Sequence, residues 1–350
     1  MTPRAALLSL ATAVPPNVLR QRDVAEAAAA HFGGRYPDFD RLARVFETTG
    51  IFTRRSVRPI EWFAEPRGWP ERTGAYLEGA QALFVEAAGA ALEAAGLTAD
   101  AVDAVVTVSS TGIATPSLEA RAFEAMGFRA DVSRIPVFGL GCAGGVSGLS
   151  IAARLAEARP GSVVLFVAVE LCTLAFRLDQ LTKANMVATA LFGDGAAACV
   201  VRAGEGGLCE IEGAGEHTWA GTLDIMGWNV DPEGFGVIFA QAIPPFAEAN
   251  LGPAVAGILG RLDLGVEDVD RFVCHPGGAK VVTAVERALS LHQGSLDHER
   301  EVLAEYGNMS APTVLFVLDR VLRAGTTGRL ALTALGPGFT ASCLSLQRAA

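Results

Sequence analysis

Cys142 stands in the stretch Gly139-Leu140-Gly141-Cys142-Ala143-Gly144-Gly145, after the apolar run Ile135–Phe138 and before a segment, Val146–Ala158, with helical periodicity. A thiol at a helix tip lies among unpaired backbone N–H groups, and the helix dipole favours its thiolate. The flanking glycines would let an acyl chain approach the backbone and would offer N–H donors to an oxyanion. Position alone leaves a second reading open, in which Cys142 is one of several small residues that let a strand and a helix pack closely.

A thiol nucleophile needs a base or charge partner, and the chain has five histidines. His31 falls in an alanine-rich helical stretch, His217 in a loop-like one, and His292 and His298 in polar surroundings, all consistent with surface residues. His275 ends the apolar run of "RFVCHPGG", before a Pro-Gly-Gly turn, and strand ends in α/β sheets are where ligand groups gather. A satisfied core histidine is the other reading. In "EYGNMSAPTVLF" Asn308 occupies a turn before a strongly apolar helix, with Ser310 as a candidate N-cap. Asn308 is either a turn residue or an amide donor that holds a developing enolate oxygen beside an imidazole. Two further glycine turns, "LFGDGAAA" (191–198) and "ALGPGFTAS" (334–342), lack the spacing and the Lys-Ser/Thr of a phosphate loop.

The elements that must position these residues alternate. Strands are expected at Ala6–Leu10, Ala104–Val108, Ile135–Phe138, Val163–Val169, Ala196–Val201, Phe272–Cys274, Leu330–Leu335 and Ser342–Leu346. Helices are expected at Tyr76–Ala95, Val146–Ala158, Lys280–Leu291, Glu299–Glu305 and Pro312–Arg323. Such alternation implies layered α/β architecture. The polar, glycine-rich "RAGEGGLCEIEGAGE" (202–216) divides the chain into two halves with similar alternation. The start, "MTPRAALLSLATAVPPN", imitates a short signal peptide, but one basic residue and a short apolar core favour a first strand closed by Pro15-Pro16.

The chain has 350 residues, about half of them apolar, and a formal charge of -10, which argues against nucleic acid or an anionic membrane as main partner. No apolar run reaches the roughly 18 residues of a membrane span. The six cysteines, 142, 172, 199, 209, 274 and 343, are widely spread, as expected of reduced thiols in a cytoplasmic protein. None has zinc-ligand spacing, so no metal is expected.

Taken in order, "SSTGIATPS" (109–117), "GLGCAGG", "VELCTLAF" (169–176), "LFGDGAAA", "CHPGG", "EYGNMSAPTVLFVLD" and "GPGFT" resemble the type III polyketide synthases, in the bacterial part of the chalcone synthase-like branch of thiolase-fold enzymes. The resemblance implies an α/β thiolase-like protomer of five layers, built from two αβαβα halves. Residues 1–205 would carry the nucleophilic cysteine, and residues 206–350 the histidine and asparagine. It also implies a homodimer, acyl-CoA and malonyl-CoA as substrates, no cofactor and no obligatory acyl carrier protein. Cys142, His275 and Asn308 would form the catalytic triad. Cys142 would take an acyl group as a thioester, its thiolate paired with the His275 imidazolium. His275 and Asn308 would stabilise the enolate left when malonyl-CoA loses CO2.

The same resemblance makes Phe192 a gatekeeper and puts the second gatekeeping position near Val237, with Phe235 and Phe239 close by. Cys172 and Ala175 would shape the starter pocket, Ala175 leaving room where a plant enzyme has threonine. Ser310 would join the cavity wall, and Thr115 would reach across the dimer. Arg41, Arg44, Arg54 and Arg55 are the candidates for the CoA phosphates, with Gly277 and Gly278 also assigned to CoA binding. A wide cavity would suit a fatty acyl starter and yield an alkylpyrone or alkylresorcinol. The alternatives are a malonyl-primed small aromatic, a ketoacyl synthase that starts fatty-acid chains, and a degenerate thiolase-fold binding protein. A thiolase would need a second catalytic cysteine near the C-terminus, and Cys343 falls within a strand.

Overall fold

A computed structural model describes residues 3–36, 38–204 and 206–349. Its strands are β1 (Ala5–Ala13), β2 (Asn17–Arg20), β3 (Thr53–Ser56), β4 (Ala104–Val108), β5 (Ser133–Val137), β6 (Val163–Leu171) and β7 (Asp194–Ala203). They continue with β8 (Cys209–Thr218), β9 (Met226–Asp231), β10 (Gly234–Phe239), β11 (Arg271–Cys274), β12 (Gly328–Gly336) and β13 (Thr340–Arg348). The helices are α1 (Gln21–Phe32), α2 (Phe39–Ala43), α3 (Val45–Thr48), α4 (Trp69–Ala94), α5 (Leu118–Arg121) and α6 (Phe123–Met126). After them come α7 (Gly144–Ala158), α8 (Lys183–Leu191), α9 (Ile243–Gly260), α10 (Ala279–Ala288), α11 (Asp297–Tyr306) and α12 (Thr313–Arg323). Every expected strand and helix is found, most within a few residues at their ends, but α4 starts at Trp69, well before the expected Tyr76. No helix among the described residues is long and apolar enough to cross a membrane.

Nine strands form one mixed sheet in the order β11-β12-β13-β8-β1-β7-β6-β4-β5. β6 is buried along its whole length, which is why Val163–Val169 is a continuous apolar run rather than an alternating one. The sheet doubles over two central helices. Both α7 and α12 pack into a core shared by β4, β6 and β7 on one side and by β12 and β13 on the other. Eight of the eleven α12 residues are buried, and Asp319, Arg320 and Arg323 form the narrow polar face that remains. Its leucines, valines and phenylalanine each contribute roughly 1.5–3 kcal/mol by leaving water. Outside this sandwich α4 covers the β1-β7-β6-β4 face, and α9 with α10 covers the β11-β12-β13 face. The result is five layers, α-β-α-β-α, a thiolase-like fold.

Much of the glycine-rich stretch that separates the two halves is regular structure. Cys209–Thr218 is a full strand, β8, paired with β13 and, at its start, with β1, and it makes the two halves of the sheet continuous. Its glycines admit α9 rather than a bend: a side chain at Gly215 would meet Ile258 at 2.9 Å. The fold brings β5 and β11, at opposite ends of the strand order, to bear on one place. Cys142 follows β5 and His275 follows β11.

Candidate active site

Cys142 lies in a single 3-10 turn, Gly141–Ala143, that runs directly into α7. Gly141, Gly144 and Gly145 are packed against protein, whereas Gly139 faces open space and lines a cavity beside the thiol. A side chain at Gly141, where φ is +48°, would meet Pro337 at 2.6 Å, and one at Gly145 would meet the Ala311 carbonyl oxygen at 2.2 Å. Burial pushes the Cys142 thiol up to about 11, and the hydroxyl of Ser310 pulls it back. The charge of Glu170 adds to the rise, and the Asn308 carboxamide opposes it. The helix tip therefore does not by itself produce a thiolate. Glu170, which the sequence did not single out, is fully buried and accepts hydrogen bonds from the Ser110 N–H at 3.0 Å and the Thr111 hydroxyl at 2.7 Å. Burial pushes its carboxyl up to about 8.

His275 is anchored through its backbone, its N–H donating to the Thr333 carbonyl at 2.9 Å while its own carbonyl accepts from Gly277 at 3.0 Å. Burial alone pulls its ring down to about 4. Both ring nitrogens are buried without a protein partner. Burial thus favours a neutral imidazole and a neutral thiol, each taken alone. The charge-separated form arises only as a pair, when the Cys142 proton passes to the ring and each charge offsets the other.

Asn308 joins two turns. Its N–H donates to the Leu191 carbonyl at 2.8 Å and its carbonyl accepts from Gly193 at 3.0 Å, a one-residue bridge beside Phe192. Its side chain donates to the Gly277 carbonyl at 3.2 Å and accepts from the Ser310 N–H at 2.8 Å. Ser310 is not an N-cap, because α12 begins only at Thr313. It sits instead at φ +58°, a left-handed conformation that costs roughly 1–2 kcal/mol in a residue with a side chain, and its hydroxyl lies against the Cys142 thiol.

Four cavities with shared walls surround these residues. A narrow slot of about 20 Å³ is lined by Cys142, His275, Asn308, Phe239 and Thr333, among others. A cavity of about 220 Å³ shares Cys142, Met226 and Phe239 with it and extends past Cys172, Phe192, Trp228 and Val237. Beyond Cys172 and Phe192 opens a third space of about 380 Å³, with Val24, Ala27, Ile60, Phe63 and Phe176 in its wall. His31 lines this space and is not merely a surface residue. The fourth, of about 660 Å³, shares Phe239, Gly277 and Val281 with the slot. Phe239 lines three of the four, whereas Val237 lines only one, so of these two candidates Phe239 is the side chain at the junction. Phe192 meets Trp228 edge-on at 6.2 Å, and Trp228 donates from its indole to the Ser110 carbonyl at 2.8 Å.

The largest cavity is cationic. Arg41, Arg44, Lys183 and Lys280 line it with Gly277 and Gly278, and no carboxylate does. Two assignments fail here. Arg54 points inward from β3, is 1% exposed, and donates to the carbonyls of Thr189 at 2.7 Å and Phe192 at 3.2 Å and to Gln21. Arg55 pairs with Val18 across β2-β3 and lines none of the four cavities. Lys183 and Lys280 were missed, although each sits in the first turn of a helix. Ala175 is buried in the turn after β6 and lines none of these spaces either, so its small size does not widen them. Thr115 is exposed and outside all four. Among the described residues no cluster of three or more His, Cys, Asp or Glu could hold a metal.

A buried thiol, a neutral imidazole and a fixed carboxamide in one narrow slot can carry acyl transfer to sulfur and hold an enolate oxygen. Residues 67–205 match the family model "Chalcone and stilbene synthases, N-terminal domain" and residues 215–348 the C-terminal one. A 1,3,6,8-tetrahydroxynaphthalene synthase of Streptomyces peucetius subsp. caesius is 40% identical, over 96% of this chain and 91% of its own. The alpha-pyrone synthesis polyketide synthase-like Pks18 of Mycobacterium tuberculosis is 28% identical, over 96% and 89%. The solved structure of the tetrahydroxynaphthalene synthase of Streptomyces coelicolor A3(2) superposes with a TM-score of 0.93 at 30% identity, covering 99% of this chain and all of that one.

Proposed function

Because the chain belongs to the chalcone and stilbene synthase family of type III polyketide synthases, which are acyltransferases, we propose that it primes Cys142 with a fatty acyl group and extends it with malonyl units. The observation that carries the starter is the 380 Å³ space behind Cys172 and Phe192, whose wall is mostly aliphatic and aromatic, with Asp23, Glu26, His31, Arg54 and Glu61 among its polar residues. It adjoins the cavity that holds the thiol, and a hydrocarbon tail gains roughly 0.8 kcal/mol for each methylene buried there.

The Cys142 sulfur attacks the acyl-CoA carbonyl as its proton passes to His275, and the CoA thiolate leaves, taking that proton. Malonyl-CoA enters by the cationic cavity, where Arg41, Arg44, Lys183 and Lys280 face its phosphates. Loss of CO2 leaves an enolate, whose oxygen accepts hydrogen bonds from the Asn308 amide and the His275 ring. The enolate carbon attacks the acyl-Cys142 carbonyl, the Cys142 thiolate is expelled, and the lengthened chain on CoA returns to the sulfur by thioester exchange. The chemistry uses no cofactor, metal or carrier protein. The product is an alkylpyrone or alkylresorcinol. The working unit is a homodimer: Ile113 and Phe138 are 54% and 58% exposed beside the exposed Thr115, and Phe138 also lines the 220 Å³ cavity.

Malonyl-CoA priming to a small aromatic is the second reading, favoured by the similarity to the Streptomyces peucetius tetrahydroxynaphthalene synthase. A panel of acyl-CoA starters of increasing length, each offered with malonyl-CoA and no carrier protein, separates the two. Fatty acyl products from long starters support the first. Product from malonyl-CoA alone, undiminished and unaltered by added fatty acyl-CoA, supports the second.

A further inference from the structure

His275 lacks what usually fixes a working imidazole. A neutral ring has one N–H and one lone pair, and the tautomer it adopts is set by the hydrogen bond that one nitrogen makes. Here neither nitrogen has a protein partner, and no carboxylate or cation lines the slot; its titratable groups are Cys142, Cys274 and His275 themselves. One other polar side-chain atom on the slot wall is equally buried and unpartnered, the hydroxyl of Thr333. Thr333 pairs with Cys274 in the β11-β12 ladder, and its carbonyl takes the His275 N–H, so the two residues are neighbours in the sheet. The slot, at about 20 Å³, has room for a bridging water.

Resting on the Cys142–His275 chemistry proposed above, we infer that Thr333 is a positioning residue for His275: its hydroxyl, through one bridging water in the slot, fixes the ring so that the other nitrogen serves Cys142 and the enolate. A water between two otherwise unpaired buried groups is enthalpically close to a direct hydrogen bond. The arrangement also leaves neither polar group unsatisfied in an apolar wall of Ile243, Leu251, Val281 and Val285.

Three variants test it: Thr333→Val, which keeps the shape and removes the hydroxyl, and Thr333→Ser and Thr333→Ala, which both lose the methyl and differ by the hydroxyl alone. Thr333→Val and Thr333→Ala should lower kcat about tenfold, the weight of one ordinary hydrogen bond, and slow Cys142 alkylation by iodoacetamide, with KM for malonyl-CoA unchanged. Thr333→Ser should restore both rates. Equal rates in Thr333→Ser and Thr333→Ala, or a wild-type kcat in Thr333→Val, would overturn the inference, and the serine–alanine comparison stands even if the valine variant does not fold. Failure of the wild-type protein to condense malonyl units would instead refute the proposed function, so the two failures are distinct.

Discussion

The Asn308 carboxamide donates to the Gly277 carbonyl at 3.2 Å, tying the turn before α12 to the turn that follows His275. One proton of that amide is thereby used, and the second, directed to the Cys142 sulfur, is placed to meet an enolate oxygen there. Because its oxygen accepts from Ser310 N–H at 2.8 Å, the amide cannot flip without losing both contacts. Asn308→Ala should therefore lower malonyl-CoA decarboxylation by on the order of 100-fold, the cost of one oxyanion donor. Acylation of Cys142 should survive within a few-fold. Decarboxylation by carbon dioxide release and acylation by mass shift check the two steps separately.

The His275 ring determines how Cys142 titrates. In His275→Gln the buried thiol has no proton acceptor, and its value, pushed up to about 11, leaves it protonated near neutrality. A group raised in this way ionises only as pH climbs, so the alkylation rate of His275→Gln should increase about tenfold per pH unit from pH ~7 upward without a plateau. The wild-type protein should be faster at neutral pH by at least about tenfold and less steep. Identical profiles would remove His275 as the partner of the thiol.

Binding of CoA and stability of the fold should separate among the basic residues. Lys183→Ala and Arg44→Ala should raise KM for malonyl-CoA roughly three- to tenfold with kcat preserved, and added salt should mimic them. Arg54→Met should leave that KM alone. It strips the Thr189 and Phe192 carbonyls and Gln21 of their donor, and should lower stability by on the order of 3 kcal/mol, read as a drop in Tm.

Chain-length preference should respond to the space beyond Cys172. Ala27 is half-buried on α1 and lines that space. Ala27→Trp should reduce kcat/KM for long acyl starters by more than about tenfold while sparing short ones, since only the tail's burial is lost. Equal losses for both would locate the tail elsewhere.

What could be read before the structure was known follows from how local each signal is. Cys142, His275 and Asn308 each sit in a short motif whose turn chemistry is contained within it, and the fold draws those three turns together. The basic residues were harder, because a four-residue strand gives too little alternation to tell that Arg54 faces inward and Arg55 outward. Lys183 and Lys280 stand more than 120 residues from Arg41 and Arg44 in the chain, and only folding unites them in one wall. β8 was hidden because its glycines and glutamates answer to a helix packed on one face and to Arg329 and Ser147 side chains, not to strand propensity. Between Val237 and Phe239 the sequence could not choose, since the β9-β10 ribbon sets which residues turn inward, and its register with β9 is not written in β10 alone.

Peptide mapping after incubation with a fatty acyl-CoA in the absence of malonyl-CoA is the most direct test of acyl transfer to Cys142. The acyl mass should appear on the peptide that contains Cys142, on none of the other five cysteines, and should disappear in Cys142→Ala. An acyl group on Cys172 or another cysteine, or no covalent acyl-protein at all while product still forms, would contradict the account.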